Sequence, residues 1–196
     1  MKTASKLIIF NFTLLALTAS AYAQSQSIQP FVVRGMSMEE AGDKKMAEGS
    51  YESALWHYSK WGAFSAGFGE DNPDTHAYRE RLVGKMAAVI AKMAKPPVIP
   101  EYSEFHAQKG AALVKLAKTP ADFAKAVKEF QDAVNQAPWV FNYHFNLAVA
   151  YKLAGQFKFA LNSLNLARLL VPSDKDRRDM NGLRAEIEAA QEMSPK

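Results

Sequence analysis

One spacing constrains this chain more than any other feature. Phe123-Ala124-Lys125-Ala126 recurs as Phe157-Lys158-Phe159-Ala160, at an offset of 34 residues. The same offset relates Ala133 to Ala167 and Pro138 to Pro172. A fixed period in this range is the signature of stacked helix pairs, each unable to bury its apolar face alone. The residue types suit that use. Phe123 and Phe157 open the second helix of a pair and lay a ring against the first. Ala126 and Ala160 stand where two helices must approach closely, and Ala133 and Ala167 recur seven residues later on the same face. The prolines end the helix, because the residue before proline is biased away from helical angles.

The segment from Pro138 to Pro172 resembles a tetratricopeptide repeat. Leu147-Ala148 stands for the family's Leu-Gly, Tyr151 for its Tyr, and Gly155 for its inter-helix turn. Ala160, Leu164, Ala167 and Pro172 complete the pattern. The departure is His144, where the family prefers Trp, with Phe145 beside it. The resemblance implies an all-α fold, a short irregular α-solenoid of antiparallel helix pairs. The preceding unit, about 107–138, fits through Ala126, Phe130 and Ala133 but carries Ala117 where Tyr is usual. Thr119-Pro120-Ala121-Asp122 reads as a helix start, with a capping Thr, Pro at the first position and an acid in the first turn.

A third unit, about 37–65, opens on the capping box Ser37-Met38-Glu39-Glu40 and turns at Gly49-Ser50 into Tyr51-Glu52-Ser53-Ala54. Its Ala54 is out of phase with Ala126, so an irregular insertion, 66–106, separates it from the later pair. Within that insertion Tyr78, Leu82, Met86, Val89, Ile90 and Met93 form one helical stripe. Pro96-Pro97-Val98-Ile99-Pro100 then makes a stiff connector, and Ser103 is placed to cap the next helix. Ser173 and Asp176 start a last helix, 174–192, whose Met180, Leu183, Ile187 and Ala190 suit a cap over the final apolar face. Strand patterns are absent, and about eight helices are expected after the leader.

The leader is the other strong feature. Lys2 and Lys6 precede an apolar run from Leu7 to Leu17, and Ala21-Tyr22-Ala23 follows. This is the secretory layout, with cleavage expected before Gln24 and residues 24–36 left as an N-terminal extension. The run is shorter than the roughly 20 residues a spanning helix needs, so no transmembrane anchor is expected after cleavage. A periplasmic or secreted destination follows. Removing Lys2 and Lys6 lowers the formal charge from +4 to +2, and no basic stripe suggests nucleic acid. The chain has no cysteine, which excludes disulfides, thiol chemistry and Cys-ligated zinc.

No catalytic constellation emerges, and neither a cofactor nor a metal is expected. His57, His76, His106 and His144 form no zinc motif. Asp174, Asp176, Asp179 and Asn181 fail the calcium-loop pattern, because Arg178 and Ala185 occupy ligand positions. Met36 and Met38 read as packing rather than copper ligands. Gly62, Gly67 and Gly69 make no phosphate cradle.

Binding remains. The resemblance implies a groove lined by the first helix of each pair, here Asn142, Phe145, Asn146, Val149 and Lys152, with Gln108, Ala111, Lys115 and Lys118 from the preceding helix. Asn146 is placed to bond an extended peptide, though asparagine is also simply common there. A non-enzymatic scaffold or adaptor holding a protein or peptide partner is the first expectation. A second is a ligand-binding or enzyme subunit with a pocket in 62–106, lined by Phe64, Phe68, Tyr78, Tyr102 and Phe105. A third is self-association into a homo-oligomer.

Overall fold

The computed structural model describes residues 33–61 and 73–194. The leader, Phe64, Phe68 and the three glycines 62, 67 and 69 lie outside those residues. The described chain is all-helical, with eight α-helices and no strand. They are α1 (33–47), α2 (Tyr51–Tyr58), α3 (Pro73–Ile90), α4 (Glu101–Leu116), α5 (Pro120–Gln136), α6 (Phe141–Leu153), α7 (Phe157–Arg168) and α8 (Asp174–Met193). A single 3-10 turn, Ser59–Trp61, follows α2.

Two hairpin turns share one construction. Gly49 and Gly155 have φ of 75° and 74°, a left-handed conformation open mainly to glycine. After each, the next amide reaches back five residues, Ser50 to the Lys45 carbonyl at 2.9 Å and Gln156 to the Tyr151 carbonyl at 2.8 Å. An aromatic then opens the second helix, and three residues on an alanine is fully buried. Ala54 in α2 and Ala160 in α7 hold that place, and Ala126 holds it in α5.

The α4–α5 hairpin closes differently. Thr119 caps α5 by accepting from the Asp122 amide at 3.3 Å, with Pro120 at the first position, as expected. Gly110 lets α4 approach the Phe130 ring of α5, which lies 3.0 Å from where a Cβ would stand. Ser173 likewise caps α8 through the Asp176 amide. Met180, Leu183 and Ile187 of α8 are buried against the preceding pair.

Two expected caps are corrected. Ser37 opens nothing, because α1 is already helical at residue 33. Glu39 is drawn instead into a bidentate pair with Arg81 of α3, at 2.9 Å for both bonds. Ser103 sits one turn inside α4, where its hydroxyl donates to the Pro100 carbonyl at 2.6 Å, and the cap position is Pro100 itself.

Helices α4 to α8 stack in chain order, each against the next, with lighter contacts two helices apart. The stripe expected between 74 and 94 forms α3, and Tyr78, Leu82, Met86 and Val89 are buried in the core. Helix α3 is therefore core, not a spacer. It packs on α2 and reaches α7, where the His76 ring meets Asn162 at 2.8 Å. Helix α3 thus folds back over the α5/α7 side of the stack.

Candidate functional site

Helix α6 is almost wholly apolar, and its neighbours divide it. Phe141, His144, Leu147, Ala148 and Tyr151 are buried. Asn142, at the opposite side, is exposed, while Phe145, Asn146, Val149 and Lys152 are half-buried. These five recur every three to four residues, so they share one face. That face looks out between α4 and α8. Phe145 stacks on Phe141 with ring centroids 5.8 Å apart. Lys152 forms an ion pair with Glu186 of α8, so its charge is already engaged across the stack. On α4, Gln108 and Lys115 are exposed and Ala111 is half-buried; Lys118 lies exposed just beyond the helix. The expected groove residues thus lie along the first helices of the two pairs, with Lys152 as a strut rather than a free cation.

Of the aromatic set expected to line a pocket in 62–106, the three described members, Tyr78, Tyr102 and Phe105, do not converge. Tyr78 is buried between α1 and α3, its hydroxyl donating to the Gly35 carbonyl at 2.8 Å. Tyr102 and Phe105 project outward from α4, 61% and 56% exposed. A different cleft opens nearby, which the sequence did not disclose. Leu55, Trp56 and Lys60 of the N-terminal unit face the Pro96-Pro97-Val98 connector and Trp139, around a space of about 500 Å³. Trp56 is 53% exposed, and the Lys60 ammonium lies 4.8 Å from its ring centroid. The Trp139 indole N–H is buried without an acceptor among the described residues. Trp56 and Trp139 are 83 positions apart in the chain, which is why no local pattern joined them.

Polar groups collect in two further places. His76 and Arg79 of α3 meet Gln131, His144, Tyr151 and Asn162 around a void of about 30 Å³, the room of roughly one water. His144 is fully buried, with Nε2 2.8 Å from the Pro138 carbonyl. Burial pushes its pKa down to about 4, the Pro138 bond opposing only in part. The imidazole therefore serves as a neutral donor that satisfies the inter-helix carbonyl.

The second collection is His106, Glu129 and Asp132, which bring one ligand-type atom each within 4.8 Å. Glu129 is already engaged on both oxygens, by His106 Nδ1 at 2.6 Å and Lys109 Nζ at 2.8 Å. Burial raises its pKa, but the Lys109 and His106 bonds outweigh this and hold the carboxyl below its ordinary value. The lysine ammonium stands where a bound cation would need the carboxylate, so the cluster works as a brace between α4 and α5.

No protein-family model matches the chain, and no curated protein matches its sequence. No helix among the described residues is long and apolar enough to cross a membrane.

Proposed function

We propose that this protein is a non-enzymatic interaction module of the tetratricopeptide type, exported from the cytoplasm, that holds a segment of a protein partner against the α4/α6/α8 side. The observation that carries the reading is the face of α6. Asn142, Phe145, Asn146 and Val149 mix amide groups with apolar surface on a helix packed on both sides; Phe145 and Val149 lean on the core, yet none of the four is fully buried. A preorganised helical surface binds an extended segment at little ordering cost to itself. The shared Gly49 and Gly155 turns, and the alanines three residues after each aromatic, support the repeat-type reading.

The test is capture of partners from an envelope fraction by wild type and by an Asn146→Ala/Val149→Glu double variant. Val149 is partly buried against the core, so Asn142→Ala/Asn146→Ala, which removes only the two amides of this face, is run beside it. Circular dichroism and Tm of this second variant should stay near wild type, and loss of the partner is read from it. It is expected to lose the specifically retained partner. Equal retention by it and by wild type would sink the assignment to this face.

A second reading rests on the Trp56–Trp139 cleft, whose apolar walls and few polar groups suit an apolar ligand or side chain. Trp56→Ala, an exposed change, separates the two in the same capture. If Trp56→Ala abolishes binding while the α6 variant retains it, the cleft is the site.

A further inference from the structure

Helix α4 carries a second, exposed stripe, whose only ring and ion-pair contacts among the described residues are Tyr102 and Phe105 beside the His106 ring and Lys109 on Glu129. Tyr102, Phe105, Lys109, Ala112 and Leu116 follow a three-four-three-four spacing on one side, and all five are exposed. Leu116 is 76% exposed at the end of the stripe. Spacing of this kind places residues along a single seam, as in paired helices. The stripe lies away from α5, which is held by Ser103, His106 and Gly110 on the buried side.

We propose that two copies of this chain associate through α4, antiparallel, about a two-fold axis passing near Lys109. The stripe is self-complementary in that direction. Reversing the helix sets Tyr102 against Leu116 of the second copy, and the Phe105 ring over the small Ala112. The flank agrees. Glu101, Gln108 and Lys115 are exposed and recur every seven residues beside the seam. In an antiparallel pair such flanking positions meet their own kind, so Glu101 faces Lys115 of the other copy at each end and Gln108 faces Gln108 in the middle. A parallel pair would set each flanking residue beside the opposite flank of the second copy, so Glu101 and Lys115 would not meet. At the centre the two Lys109 side chains approach, and each is already neutralised by its own Glu129 at 2.8 Å. One helix pair makes a small interface, so the dimer is expected at micromolar rather than nanomolar concentrations.

Sedimentation equilibrium of the purified protein across that range tests the proposal. Wild type should shift from monomer to dimer with concentration. Phe105→Glu removes an exposed ring, leaves the fold intact by circular dichroism, and should leave only monomer. Glu101→Lys and Lys115→Glu should each weaken the dimer by roughly threefold to tenfold. The Glu101→Lys/Lys115→Glu double variant should recover wild-type affinity, because each pair is restored with its signs exchanged. A protein that stays monomeric throughout, a dimer indifferent to Phe105→Glu, or a double variant no tighter than the singles would each overturn it.

Discussion

Gly42 and Gly84 both sit inside helices, yet their surroundings assign them opposite consequences. A Cβ on Gly42 would lie 2.4 Å from the Tyr58 ring, and Tyr58 cannot easily give way because its hydroxyl is held by Asp43 at 2.7 Å. A Cβ on Gly84 meets nothing within 4 Å. Gly42→Ala should therefore destabilise by about 1–3 kcal/mol through overpacking, while Gly84→Ala should stabilise by about 0.4–1 kcal/mol by restricting the unfolded chain. Urea unfolding of the two variants measures both signs. His144 makes a pH prediction at the same scale. Its folded pKa of about 4 lies below the unfolded value near 6.5, so the unfolded state binds the proton first as pH falls. The contribution is complete above about pH 6.5 and is lost progressively toward pH 4, to a limit of roughly 3 kcal/mol. His144→Phe, despite the cost of orphaning the Pro138 carbonyl, should show a flatter stability profile between about pH 6.5 and 4.5. Equal slopes for variant and wild type would show that other groups govern acid sensitivity.

At the scale of the element, helix termini were legible wherever the cap is local and obscure wherever a distant partner competes. Thr119 and Ser173 each bond an amide three residues ahead, so a four-residue pattern suffices. Ser37-x-x-Glu40 has the same pattern, but α1 is already helical four residues before it, so no free amides are left there to cap. Helix α8 reads as a cap because its stripe repeats on one side and its other sides are polar. Ile187 is fully buried there. Ile187→Ala should cost about 2–5 kcal/mol, and the loosened helix should expose the apolar α6–α7 surface it covers. Increased binding of an apolar dye, with most helical signal retained, is the expected result; dye binding equal to wild type would argue against the capping role.

At the scale of the whole molecule, the contact between α3 and α7 decides how the parts behave. Because His76 reaches Asn162 and the polar void joins α3 to α5, α6 and α7, the N-terminal unit and the stack should unfold together. Trp56 reports the former and Trp139 the latter. In single-tryptophan variants, fluorescence transitions should coincide with each other and with circular dichroism, as for a two-state domain. Separate midpoints would mean that the two parts are energetically independent.

The helices themselves, their turns at Gly49 and Gly155, and the buried alanines were written in the sequence, because each depends on neighbours within a turn or two of chain. That Asn142, Phe145, Asn146, Val149 and Lys152 share one side of α6 was also legible, since the faces of a helix follow from periodicity. The position of α3 was not. Its stripe announces burial but not against which helices, and only the tertiary fold turns an apparent insertion into the brace behind the stack. The Trp56–Trp139 cleft, the strut from Lys152 to Glu186 and the uncovered seam of α4 were decided at that level too. Each depends on which surfaces remain after distant segments have met, and long-range pairing leaves no period in the chain to read.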